Sequence, residues 1–283
     1  MPAGVAMRAL SVARDLLREA RARRWVVALA GGVTVLLLVA AFALKLEVVD
    51  GALAASRFFG GRVTDEIRPA EVALRPLFEG VSYAVFYAGT LFGILACADF
   101  APTLLAPGRI EHLLALPVRR WEIVAGTFLG VLVLVLGGAL YGGGGLALVV
   151  WAKTGVFGAA PVVSAMLAAA AFAAVYAVML LSALLARSAA LSAAAGAATW
   201  ILGIVAGNRR TLAPLFREGP GRDLFLAATA PLPRISELAR AGARVAEGLP
   251  LEGRLLAAQL GATALFALAL LALAAGLFER KDF

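Results

Sequence analysis

The sequence predicts an all-α polytopic membrane protein with six transmembrane helices and an N-terminal amphipathic interfacial helix. Three observations carry that expectation. Hydrophobic residues make up 62% of the chain and charged residues 16%, with a mean hydropathy of +0.92, against about 45–50% and about 25% in a soluble domain. Six long apolar runs contain no Asp, Glu, Lys or Arg. The basic residues behind the net charge of +8 flank those runs, as membrane borders favour, and are not interleaved with aromatics as on a nucleic-acid surface. The expected surroundings are therefore a lipid bilayer and no nucleic acid. A chain of 283 residues is filled by about six crossings and their connections, without room for a second soluble domain.

Residues 1–24 set Met7, Leu10, Leu16 and Leu17 among Arg8, Arg14, Arg18, Arg21, Arg23 and Arg24, a pattern suited to a helix lying in the membrane interface. Residues 25–283 then form one transmembrane domain. Its first run, Trp25 to Leu44, ends in Ala41-Phe42-Ala43, which fits a signal-peptide cleavage pattern. The long basic leader and a run exceeding the usual signal core of about 7–15 residues predict an uncleaved helix instead.

The remaining runs are Val81 to Ala98, Ile123 to Trp151, Val162 to Ala186, Ser188 to Gly207 and Leu255 to Phe278. At about 1.5 Å per residue they match a hydrocarbon core of about 30 Å, and helices alone satisfy their backbone groups there. Arg187 alone separates the fourth and fifth runs. Together they are about twice the length of one crossing, so a tight hairpin is expected at Arg187. Gly142 to Gly145 reads either as a site of close helix packing or as a kinked segment lining a pathway.

Cys97 is the only cysteine and His112 the only histidine. An intrachain disulfide is excluded, Cys97 reads as a packed thiol, and soft ligands are too few for a transition-metal path. No metal and no cofactor are expected in this chain. An even number of crossings puts both termini on one side, and the Arg-rich leader with Arg280 and Lys281 assigns that side to the cytoplasm. Basic residues number twelve inside and fourteen outside in this scheme, but those outside stand mostly in long loops, which translocate largely regardless of charge. Among these loops, residues 208–254 hold a mildly apolar patch, Leu224 to Ala230. It is either a re-entrant or interfacial piece or part of a surface loop with two short helices.

The most informative stretch is 99–122, charged and amphipathic between two apolar runs. Pro107-Gly108 marks a turn. Ile110, Leu113 and Leu114 follow at helical spacing among Arg109, Glu111 and His112. Pro117 disfavours helix at Leu116, and a new helix can start near Val118. The pattern fits a small amphipathic helix on the cytoplasmic face, presenting charge to a soluble partner, or a solvated loop. Asp99, at the inner end of the second run, either caps that end or joins the same surface.

The run G-R-I-E-H-L-L-A-L-P-V-R-R-W-E-I-V-A-G-T-F-L-G resembles the cytoplasmic segment of type-2 ABC transporter permeases. Glu111, Leu113, Leu114, Pro117, Val118, Arg120, Ile123 and Gly126 fit that pattern. Arg109 and Thr127 stand where the family often has Thr and Lys. The general plan is also similar: basic leader, six crossings, long external segment and a terminal Phe278 to Phe283. The resemblance implies the permease subunit of an ATP-driven exporter in the cytoplasmic (inner) membrane, similar to multi-copper-enzyme-maturation and drug-export permeases. It implies a homo- or heterodimeric permease partner and a separate ABC ATP-binding subunit carrying ATP and Mg. It further implies that Asp99, Arg109, Ile110, Glu111, His112, Leu113, Leu114, Pro117, Val118, Arg119, Arg120, Trp121 and Glu122 couple to that subunit.

The chain has no G-x-x-x-x-G-K-[ST] phosphate loop, so ATP hydrolysis is expected elsewhere. A polytopic membrane enzyme needs His, Glu or an activated Ser within its crossings, and the runs hold neither acid nor His. The alternative is an ion-coupled secondary transporter or channel, although such carriers usually keep ionisable groups inside the bundle. Apolar, Gly-rich crossings fit lipids, amphipathic drugs or peptides better than ions.

Overall fold

The computed structural model describes residues 2–22, 24–49, 52–58, 61–64, 68–69, 72, 74–106, 108, 110–111, 118–216 and 218–280. Helices dominate: α1 (Pro2–Ala22), α2 (Arg24–Ala43), α3 (Arg75–Cys97), α4 (Phe100–Leu104), α5 (Arg120–Thr154), α6 (Ala160–Ala186), α7 (Ala189–Gly207), α8 (Arg209–Leu212), α9 (Pro220–Thr229), α10 (Ile235–Ala246) and α11 (Gly253–Glu279). Five are long and apolar enough to cross a membrane: α3 continued into α4, α5, α6, α7 and α11. The protein is thus a multi-pass membrane protein by the length and composition of its helices. In α2 the described apolar stretch, Ala30–Phe42, is shorter than these five.

The centre of the bundle is α6. Its apolar window is 72% buried, against 17% for α11 at the periphery, and α3, α5, α7, α10 and α11 all pack on it. Alanines along α6 permit this crowding, because association in lipid depends on close packing rather than on expulsion of water. A Cβ added at Gly143 of α5 would lie 2.7 Å from Ala165 Cβ and 2.8 Å from Pro161 O; one added at Gly196 of α7 would lie 2.7 Å from Met179 Cγ. The Gly142 to Gly145 cluster therefore serves close packing within a helix unbroken from Arg120 to Thr154. Aromatic rings pack in the same core, with Tyr176 stacked on Phe172 at 5.8 Å and on Phe128 at 6.1 Å.

The expected hairpin lies where α6 meets α7. Arg187 adopts a left-handed conformation (φ 50°), its N–H donates to Ala183 O at 2.8 Å, and Ser188 Oγ accepts from Leu191 N–H at 3.4 Å to open α7. The two helices then pack antiparallel, tied by Ser192 Oγ donating to Met179 O at 3.1 Å. Gly155 (φ 71°) ends α5 at the opposite end of the bundle, its N–H donating to Trp151 O at 2.8 Å. The end with the start of α5 and the Arg187 hairpin is termed proximal, the other distal.

Two features depart from the sequence reading. The connection between α2 and α3 contains a small antiparallel sheet, β1 (Leu44–Val49), β2 (Ala52–Phe58), β3 (Gly61–Thr64) and β4 (Arg68–Pro69), in which β2 pairs with the other three. The described residues are thus predominantly helical, as the sequence predicts, with this small sheet between the first two long apolar segments. The second departure lies in residues 208–254. The Leu224 to Ala230 patch falls in α9 and its end, where Thr229 is the only buried residue of the helix, whereas α10 is the element that enters the bundle.

Gly143→Ala should lower the apparent melting temperature of the detergent-purified protein, an overpacking cost of about 1–3 kcal/mol. Gly144→Ala, where an added Cβ meets nothing within 4 Å, should leave it unchanged. Equal effects would refute the packing role of Gly143.

Candidate functional site

The described residues of the stretch expected to face a partner lie at the proximal end, where α3 and α11 end and α5 begins. Leaving α3, the chain turns at Asp99, whose carbonyl accepts the Thr103 N–H at 3.0 Å and also the Thr103 hydroxyl. The short α4 then buries Phe100, Ala101 and Leu104. Leu105 is buried as well, and α4 packs against α6. Ile110 is buried at 3% exposure and the next residue, Glu111, is exposed. That pair fits an amphipathic turn with its apolar side on the bundle. Arg109, His112, Leu113, Leu114 and Pro117 lie outside the described residues.

Helix α5 resumes the description. The Arg119 N–H donates to Glu122 Oε2 at 2.8 Å, so the carboxylate satisfies one of the main-chain donors that every helix start leaves free. Glu122 is fully buried, and its Oε1 has no hydrogen-bond partner among the described residues. The neighbouring Arg120 reaches across to the end of α11: its Nη1 donates to Phe278 O at 3.3 Å and Glu279 O at 3.1 Å. A cation on the free carbonyls of a helix C-terminus is favoured by both hydrogen bonding and the helix dipole. Of the expected coupling residues, Asp99, Glu111 and Arg119 are exposed, Val118, Arg120 and Trp121 are half-buried, and Ile110 and Glu122 are buried. Among the described residues of this set, only the exposed group presents whole side chains to the surroundings; Arg120 ties the start of α5 to the end of α11, and Glu122 caps α5.

Sequence reasoning missed the α4 turn and the Arg120 bridge. The first was visible as Phe100, Ala101, Leu104 and Leu105 at helical spacing. The second had no signal, because its acceptors are main-chain carbonyls of a distant helix.

At the distal end α10 wedges between α3, α6 and α7. Its buried face is Ile235, Leu238, Ala239, Gly242, Ala243 and Ala246, and Gly203 of α7 lets it approach: a Cβ there would lie 2.6 Å from Ile235 Cδ1. Arg240 donates to Gly207 O at 2.8 Å and Asn208 Oδ1 at 2.7 Å, and Ser236 Oγ to Ile204 O at 3.2 Å. Glu237 accepts from Gln259 Nε2 of α11 at 2.7 Å and lies 3.6 Å from Arg234. Below this wedge, Tyr87 meets Trp200 edge-on at 6.2 Å, and Trp200 Nε1 donates to Thr90 Oγ1 at 3.3 Å. Among the described residues no three His, Cys, Asp or Glu side chains gather into a metal-ligand set.

No protein-family model matches the chain, and no curated protein matches it.

Arg120→Ala removes a cationic donor from two carbonyls and should cost about 1.5–3 kcal/mol, read as a lower melting temperature in detergent. Arg119→Ala, which keeps the main-chain bond to Glu122, should cost less than about 0.5 kcal/mol. An Arg120→Ala protein as stable as the parent would show that the bridge contributes nothing.

Proposed function

We propose that this protein is the transmembrane permease subunit of an ATP-driven exporter of the type-2 ABC class, working as a dimer with a separate ATP-binding subunit. The observation that carries the proposal is the agreement between the resembling segment and its position. The described residues of 99–122 stand at one end of the bundle, with charge outward at Asp99, Glu111 and Arg119 and apolar side chains inward at Phe100, Leu104 and Ile110. A partner pressing on that surface bears directly on the ends of α3 and α5, and through Arg120 on α11. A shift between inward-open and outward-open states then requires only that ATP favour one of them in the partner.

In this reading α2 supplies the sixth crossing. It is 20 residues long, about 30 Å, and rises beside α5, with Gly142 near Val33 and Gly145 near Leu37. Thr34 Oγ1 and Tyr141 OH are joined at 2.7 Å between the two helices. The α1 helix is the interfacial element. It buries Val12, Ala13, Leu16 and Ala20 against α5 around Gly130 and leaves Arg14, Asp15 and Arg18 exposed. Six crossings put both termini in the cytoplasm with the coupling segment, in the inner membrane. Trp121 and Trp151 of α5 are thirty residues apart, about 45 Å, which fits the two interfaces of one bilayer.

A tagged full-length chain solubilised gently from its native membrane should bring down an ATP-binding subunit. Glu111→Arg, a reversal at an exposed position, should reduce that recovery about tenfold, and Arg254→Glu, exposed at the distal end, should not. Recovery of the parent chain alone, with transport driven by an ion gradient in liposomes, would replace the proposal with a secondary transporter.

A further inference from the structure

Residues 209–230 carry exposed apolar side chains that the bundle does not cover. Leu215 is 79% exposed, Leu224 71% and Phe216 43%, with the Phe216 and Phe225 rings stacked at 4.8 Å. The outward surface of α9 is formed by Pro220, Gly221, Leu224, Ala227 and Ala228, with Asp223 the one charge among them. Such a surface needs an apolar neighbour.

Its place in the chain says which one. Helix α7 has 19 residues, about 28 Å, close to the thickness of a hydrocarbon core, so the chain beyond Gly207 starts at the headgroup level. There Asn208 is followed by Arg209, Arg210 and the one-turn α8. Pro214 and Pro220 open the 3-10 turn and α9, and Pro favours new starts over continuation of one helix. Over 209–230 the sequence holds four arginines against two acids. The exposed apolar surface also follows, along the chain, the outward Ile201 and Leu202 of α7, which face lipid if α7 crosses.

We propose that the segment from Arg209 to Thr229 is a monotopic membrane anchor lying in the headgroup layer at the Gly207 end. Leu215, Phe216 and Leu224 enter the acyl boundary, and Arg209 and Arg210 meet anionic headgroups. The anchor fixes the depth of the chain that leads through Pro231 and Pro233 into α10. This inference rests on α7 crossing a bilayer and not on the exporter reading.

The test uses the full-length protein in vesicles of three parts phosphatidylcholine to one part phosphatidylglycerol. A fluorophore is placed on Leu224→Cys, with Leu215→Cys as a second site; Cys97, the only native cysteine, is buried. Nitroxide lipids labelled near the headgroup should quench Leu224→Cys at least about twofold more than lipids labelled near the chain end. Aqueous iodide should quench it less than it quenches a probe on the exposed Glu218→Cys. Iodide quenching equal to that at Glu218, or shielding from both iodide and lipid, which marks a protein contact, would overturn the anchor. A probe on Ala198→Cys, exposed midway along α7, separates the failures: it is quenched best by chain-end nitroxide whenever α7 crosses. The co-purification experiment reports on the exporter reading independently.

Discussion

The bundle depends on how closely other helices approach α6. Lipid offers apolar side chains nothing to escape from, so the contacts that hold helices together are dispersion contacts at short range and hydrogen bonds between helices. Glycines of the neighbouring helices meet α6 at distances that a Cβ would contest: Gly93 of α3 against the Phe172 ring, Gly143 of α5 against Ala165 and the Pro161 carbonyl, and Gly196 of α7 against Met179. Phe172 and Tyr176 are fully buried in the same centre. Everything else hangs from that centre, including the two ends at which the molecule meets its surroundings.

Both ends use the same device. At the proximal end Arg120 holds the last carbonyls of α11, and at the distal end Arg240 holds the last carbonyl of α7 and Asn208 beside it. Each arginine joins the C-terminus of one helix to another element, Arg240 through both arms of its guanidinium fork and Arg120 through its Nη1. A close-packed core resists continuous deformation, so rearrangement in such a bundle is carried by shifts of whole helices, and ties between helix ends decide which helices shift together. The proximal tie is made by Arg120, next in the chain to the exposed Arg119. The distal one holds the α10 wedge between α3, α6 and α7.

The long apolar runs were legible because twenty uncharged residues have few other uses, and the Arg187 hairpin followed from length alone. The sheet is masked in the sequence by the long apolar run that leads into it, although its period-two pattern is present. Leu44-Lys45-Leu46-Glu47-Val48 alternates, and Asp50-Gly51 after it is a favoured hairpin dipeptide. The α10 helix was obscured by the polar composition of its loop, though Ile235, Leu238, Ala239, Gly242, Ala243 and Ala246 keep helical spacing. Within the candidate site, the outward Glu111 and inward Ile110 agree with the amphipathic pattern. The buried positions of Glu122 and the bridge from Arg120 do not follow from any local rule, since a charged residue ahead of an apolar run reads equally well as a surface contact or a cap.

The account requires that the two ends of the bundle face opposite sides of the membrane, with the Glu111 surface on the side where ATP is found. Thiol labelling in intact cells and in inverted membrane vesicles measures this directly, using Glu111→Cys and Glu218→Cys in the full-length chain. The account predicts that a membrane-impermeant reagent modifies Glu218→Cys only in intact cells and Glu111→Cys only in inverted vesicles. Labelling of Glu111→Cys from outside intact cells, or of both positions from the same side, would contradict it.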